Sequence, residues 1–242
     1  MTYSWNYEKI RFMLDAEAYE KRRGNDFYAD TAKLILKTVP ESAYVCDAGC
    51  GMGFLSLELA RGCKLVDSVD ISNEALSFLR QRASAGIRPI CCDMNDYVPD
   101  RRLDAAVFSL FGSIENMLFW SRQILSSNGM LHMIVKNTDF HRFSIGSIPI
   151  RRFTRDEVAD HLIKNGIPFE ETPLTAELGQ PLRSEDEAVL FFKTYSRDDD
   201  KEAITFEAIR DRLIFTDDRE FPLYLPPKKR LVLISVSASD FM

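Results

Sequence analysis

Apolar positions along the chain follow two different periods. From Tyr7 to Arg23, Ile10, Met13, Leu14 and Ala18 recur three and four residues apart, the spacing of one helical face, and Gly24-Asn25 ends the run. A second helix is predicted over residues 27–38, stopping before Pro40. After it, short apolar runs alternate with longer helical ones. Strands are predicted at Ala43–Cys46, Leu65–Val69, Arg88–Cys92, Ala105–Leu110 and Met130–Val135, the last entered through the turn Ser126-Ser127-Asn128-Gly129. Helices are predicted at Phe54–Ala60, Asn73–Ala85 and Ser113–Leu125. Such alternation requires crossover connections, hence an α/β protein with a mostly parallel sheet covered on both faces. The unbroken run Met130-Leu131-His132-Met133-Ile134-Val135 suits a strand buried on both sides.

The C-terminal third reads differently. Thr154-Arg155-Asp156-Glu157 is the pattern of a capping box opening a helix to about Asn165, closed by Gly166. A strand is expected near Pro168–Leu174, helices over Ser184–Tyr195 and Asp200–Leu213, and a last strand at Arg230–Val236. The chain therefore divides into an N-terminal helical cap (1–40), a main domain (41–175 and 228–242) and a helical, acidic insertion (176–227). That insertion is positioned to act as a lid, as an inert decoration or as a dimer contact.

Composition narrows the classes. The 242 residues are 45% hydrophobic, enough for a substantial core, and the formal net charge is −6. The short basic clusters Arg22–Arg23, Arg101–Arg102, Arg151–Arg152 and Lys228–Arg230 read as solvated surface, and no stretch is built to displace counterions from a nucleic acid. No apolar run reaches the ~18 residues of a membrane span, and the N-terminus lacks the build of a signal peptide. The five cysteines, all within residues 46–92 and without a C-x-x-C spacing, suit mostly buried thiols of a cytoplasmic protein and no metal site.

The most informative segment is Val45-Cys46-Asp47-Ala48-Gly49-Cys50-Gly51-Met52-Gly53-Phe54, a strand running through three alternate glycines into a helix. In an open parallel sheet, the crevice beyond such a strand is a ligand site. A dinucleotide fingerprint would need glycine at Phe54, so that match fails. Asp47 would repel a pyrophosphate and suit a ligand carrying an ammonium group, such as S-adenosylmethionine. Asp70 ends the second strand, where a carboxylate can accept both ribose hydroxyls, although Ser72 and Asn73 beside it are also helix-capping types. Asp93 ends the third, placed for an adenine amino group with Met94 behind it, or for a turn toward Asn95-Asp96. Asp104, at the amino end of the fourth strand, is read as structural.

These residues resemble the motifs of class I S-adenosylmethionine-dependent methyltransferases: D-x-G-C-G-x-G at Asp47–Gly53, V-D-I-S at Val69–Ser72 and C-D-M at Cys92–Met94. The resemblance covers about residues 40–137. It implies a Rossmann-like, seven-stranded sheet whose last strand is antiparallel. It also implies Asp47, Gly49, Gly51 and Gly53 around the methionine moiety, Asp70 at the ribose, Asp93 and Met94 at the adenine, Ser109 beside the cofactor, and Cys50 and Ile71 within the cofactor-binding set. Ala16-Glu17-Ala18-Tyr19-Glu20 resembles the A-x-x-Y-[DE] segment of small-molecule members and would bring Tyr19 to the carboxylate end. The product would be S-adenosylhomocysteine.

Methyl transfer is an in-line displacement that chiefly needs alignment and exclusion of water. A base is required only where the acceptor must lose a proton. His141, in the loop leaving the fifth strand, is the best-placed candidate; His132 reads as a core residue and His161 as a surface one. Phe108, Phe111, Tyr3, Trp5, Tyr7 and Tyr28 are available to wall a pocket. No N-P-P-Y signature follows the fourth strand, which favours a diffusible small-molecule acceptor, in a monomer or homodimer. A protein or peptide acceptor, or a catalytically silent cofactor-binding regulator, are the alternatives.

Overall fold

The computed structural model describes residues 5–138, 140–150, 154–228 and 230–242. Tyr3, Asp139, the Arg151–Arg152 pair and Lys229 lie outside those residues. The first apolar stripe forms α1 (Tyr7–Arg22), opened by the Asn6 side chain accepting the Lys9 amide, and α2 (Phe27–Leu36) is capped likewise by Asp26. The alternating region follows as β1 (Tyr44–Ala48), α3 (Phe54–Leu59), β2 (Leu65–Asp70), α4 (Asn73–Arg82), β3 (Ile87–Cys91), β4 (Leu103–Ser109), α5 (Ile114–Ile124) and β5 (Leu125–Lys136). Then come α6 (Arg155–Lys164), β6 (Glu170–Pro173), β7 (Gln180–Leu182), α7 (Glu185–Tyr195), α8 (Phe206–Ile209), a 3-10 turn (Arg210–Arg212), β8 (Ile214–Phe215), β9 (Leu223–Leu225) and β10 (Leu231–Ser237).

Seven strands form one sheet in the order β3-β2-β1-β4-β5-β10-β6. The strands β1 to β5 are mutually parallel, and β10 runs antiparallel to both β5 and β6. This is the expected architecture. One face packs Met117, Trp120 and Ile124 of α5 with Val158 and Leu162 of α6; the other packs Phe27, Ile35, Leu55 and Leu59 of α2 and α3. His132 lies wholly buried between Thr38 Oγ1 (3.0 Å) and Ser235 Oγ (2.9 Å), and burial pushes it down to about 4, so it is a neutral core residue. Asp104 accepts the Tyr44 amide at 2.8 Å and ties the amino ends of β4 and β1.

Several expectations change. The Ser126–Gly129 segment is not a turn before β5 but part of it, bulged so that the register steps from Leu103↔Leu125 to Ala105↔Met130. No continuous helix covers 200–213. Asp200 instead accepts the amides of Glu202 and Ala203 in a turn, and Thr205 restarts a short α8 by accepting the Ala208 amide. The insertion is not purely helical: it holds a second antiparallel sheet in the order β7-β9-β8. Of the five free cysteines only Cys46 is fully buried, and Cys91 is exposed.

Candidate active site

The carboxyl edge of the sheet carries the glycine loop at the end of β1. Gly49, Gly51 and Gly53 all take left-handed backbone, with φ of 67°, 55° and 72°, which favours glycine at each. The loop closes on its own fold: the Gly49 and Cys50 amides donate to the Val69 carbonyl, and the Gly53 amide donates to the Cys50 carbonyl. The Gly51 amide donates to Asp70 Oδ2 at 2.8 Å, while the Ser72 amide donates to Asp70 Oδ1 at the same distance. Asp70 therefore stands at the tip of β2 with both oxygens oriented by amides. It does not cap α4; the Ser72 side chain does.

Asp47 sits behind the loop, only 1% exposed, accepting the Ser56 hydroxyl at 2.6 Å. Burial, partly offset by that bond, raises its carboxyl to about 6, and nearby Asp70 adds to the rise. Tyr28, stacked on Phe54 at 5.2 Å, faces the same carboxylate and Glu17, and burial with these charges pushes its phenol up. Tyr19, expected at this loop, points elsewhere. It is buried edge-on against Phe221 and tilted on Tyr224, with its hydroxyl accepting from Arg23 at 3.3 Å. Glu17 of the same segment lies near Tyr28 and pairs with Lys21 at 3.6 Å.

Asp93 is exposed beyond β3 and accepts both the amide and the side-chain nitrogen of Asn95 at 2.8 Å, so it caps a turn while keeping a second oxygen outward. Met94 is buried beside it, and Ile71 is exposed next to Asp70. Ser109 ends β4 in register with Ile134. The next residue, Leu110, has φ of 54°, the one non-glycine residue in left-handed backbone among the described residues. This bend lays Phe111 over Gly49, where a Cβ would meet the ring at 2.6 Å; Phe111 continues a stack with Trp120 at 5.7 Å. Trp5 covers Gly51 in the same way at 2.7 Å. The sequence offered these aromatics among several, and nothing local singled out the pair that contacts the glycines.

His141 follows β5, partly buried, with Nδ1 3.1 Å from Ser144 Oγ. Burial, then Arg197 and Lys136, press it down to about 4, so its ring is neutral at neutral pH. His161 lies on α6 near Glu115.

Residues 45–137 match the family described as a methyltransferase domain. Over that stretch the chain resembles a methyltransferase domain. The provisionally named methyltransferase YqeM of Bacillus subtilis (strain 168) is 33% identical over 70 residues, 29% of this chain; the chain spans 28% of that relative's length. The fold is shared with the solved YcgJ protein of Bacillus subtilis, at a TM-score of 0.55 and 15% identity over 86% of this chain and 98% of that one. It is shared as well with DhpI, solved as its SAH complex, at 0.52 and 16% over 71% and 90%.

The loop suits the cofactor of this domain family. With the amides of Gly49, Cys50, Gly51 and Gly53 all used inside the fold and two carboxylates adjoining, the loop is unsuited to a pyrophosphate and compatible with a phosphate-free nucleoside bearing an ammonium group.

Proposed function

We propose that this chain transfers a methyl group from S-adenosylmethionine to a small-molecule acceptor by in-line displacement. The observation that carries the reading is the glycine loop with its amides internally satisfied and Asp47, Asp70 and Asp93 ranged along the tips of β1, β2 and β3. When bound, the cofactor supplies a methyl group already activated on a cationic sulfur. In this reading Asp70 accepts the ribose hydroxyls, the outward oxygen of Asp93 accepts an adenine amino proton, and Met94 supports the ring. Asp47 acts from beneath the loop, its negative field favouring an ammonium group. Tyr19 is left out of the binding set, since its contacts lie with the insertion.

Ser109 and Phe111 at the end of β4 border the acceptor side, and their neighbours exclude water. A neutral His141 with a depressed pKa is a weak base, so the acceptor must arrive as an intrinsic nucleophile or be ionised by its surroundings. Titration calorimetry with S-adenosylmethionine, S-adenosylhomocysteine and NAD tests the cofactor, and transfer of labelled methyl into fractionated small molecules tests the reaction. Asp70→Ala is expected to weaken cofactor binding by about 1.5–3 kcal/mol, the loss for charge-assisted hydrogen bonds. Selective binding of NAD overturns the reading; binding without transfer makes the chain a cofactor-responsive regulator.

A further inference from the structure

The carboxyl edge changes character beyond β4. Lys136 ends β5, Arg142 lies in the loop after it, and Arg230 leads into β10, which begins at the same edge. The insertion adds Arg197 and Lys201 after α7 and Arg212 in the 3-10 turn, and Lys228 follows it ahead of β10. Ser144 draws these segments together. Its hydroxyl accepts the Arg197 amide at 2.9 Å, and its carbonyl accepts Arg212 at 2.8 Å. Arg142 donates to the Pro226 carbonyl at 2.8 Å, and Lys201 donates to Ser196.

The nearby carboxylates are largely spent on other partners, Asp200 on the amides of Glu202 and Ala203. Glu177 pairs with Arg142 at 3.4 Å, and Asp198 is occupied by the amides of Ile145 and Gly146. Among the described residues, Arg142 is the one of these seven cations in an ion pair. Elsewhere some arginines pair with acids, as in Arg88–Asp67, Arg155–Glu171 and Arg183–Asp15, and others, such as Arg102 and Arg122, bond carbonyls. Here seven cations lie on neighbouring segments. The like charges press on one another. Burial and then Arg197 lower the Lys136 ammonium, and burial, Arg212, Arg230 and Arg142 lower Lys228. Gathering unmatched cations costs stability and is offset when an anion binds among them. Lys228 and Arg230, which read as solvated surface in the sequence, join this set only through the fold.

We infer that this cluster holds an anionic group of the methyl acceptor, a carboxylate or a phosphoryl group, gripped by Lys136, Arg212, Lys228 and Arg230. The inference rests on the methyl-transfer reading for the role of the ligand, not for the presence of the site. With β4 between β1 and β5, the cluster begins about 10 Å from the glycine loop, the reach of a small molecule. Lys136 and Arg212 are partly buried while Lys228 and Arg230 are exposed, which suits one anionic group held at the mouth of the edge better than an extended phosphate backbone.

The test is calorimetric titration of the full chain with pyrophosphate and with citrate at low salt, with and without S-adenosylhomocysteine. Saturable binding below about 1 mM is expected, weakened about tenfold or more by Lys136→Met and by Lys228→Ala. S-adenosylhomocysteine affinity should stay unchanged in both variants, and Lys193→Ala, a lysine already paired with Glu202 at 3.0 Å, should leave the anion affinity intact. Preference between the two probes names the anion as phosphoryl or carboxylate. Absence of saturable binding by either, or binding indifferent to both substitutions, overturns the inference. So does a single-stranded RNA oligomer that binds more tightly than pyrophosphate and loses affinity in the same variants. If pyrophosphate binds and S-adenosylhomocysteine does not, the methyl-transfer reading fails and the anion site stands.

Discussion

Asp47 shows how a single buried carboxylate can be set against stability. Its pKa is about 6 in the folded chain and 3.8 in the unfolded one, so the folded state holds the proton more tightly. The stabilisation is full below pH 3.8 and is lost as pH rises through 6, leaving an ionised group in an unfavourable place at neutral pH. Asp47→Asn keeps an acceptor for Ser56 without the charge. It should melt higher than the parent at pH 8, with the advantage shrinking as pH falls from 6 toward 4, while cofactor binding weakens. An unchanged melting difference across that range would mean that Asp47 is not held in its observed state. His141 has the opposite slope. Its folded pKa of about 4 lies below 6.5, so protonation favours unfolding and acid erodes stability between those values. With the ring neutral above pH 5.5, His141 should add no acid limb to the single-turnover transfer rate between there and pH 8, and any limb near pH 6 should follow Asp47 and persist in His141→Asn. An acid limb near pH 6.5 that disappears in His141→Asn would instead make this residue the general base.

At the scale of elements, the three-glycine bend and the closing glycine of α6 allow backbone strain and packing to be separated. Gly51 and Gly166 share left-handed backbone, with φ of 55° and 65°. A Cβ on Gly166 meets nothing within 4 Å, whereas one on Gly51 meets Trp5 at 2.7 Å. Gly166→Ala should therefore cost about 1 kcal/mol by denaturant titration and leave cofactor affinity alone. Gly51→Ala should cost more and abolish binding; equal costs would show that Trp5 yields freely. What the sequence revealed follows the same division. The strands β1 to β5, the glycine bend and the acids at the strand tips could be read because each is a local pattern: an apolar run, a glycine spacing, a polar residue at a run's end. The strands β7 to β9 could not, since Gln180-Pro181-Leu182 and Leu223-Tyr224-Leu225 are too short to show a period and pair only because the fold joins them. For the same reason Phe111 over Gly49, Tyr19 turned toward Phe221, and the cations from Lys136 to Arg230 were hidden. Each depends on contacts between segments far apart in the chain.

The whole molecule is organised around two cores with different jobs. The sheet and its flanking helices make the larger one, while α1 and the insertion make another from Phe12, Leu182, Phe191, Phe192, Ile209 and Leu223. Phe12 is fully buried and meets Phe191 edge-on at 5.0 Å. Charges reinforce the seam: Arg183 pairs bidentately with Asp15 at 2.5 and 2.8 Å, and Arg11 bonds Glu187. Trp5, just ahead of α1, covers Gly51, so the helix that anchors the insertion also borders the loop. Phe12→Ala leaves a cavity worth about 3–5 kcal/mol in the smaller core alone. If that core opens independently, amide exchange should accelerate in α1, α7 and β9, while β1 and β4 keep their protection. Cofactor affinity should fall as well, because Trp5 loses its support. Uniform loss of protection across both cores would show instead that they unfold as one unit, and that the insertion cannot part from the sheet to admit an acceptor without unfolding the domain beneath it.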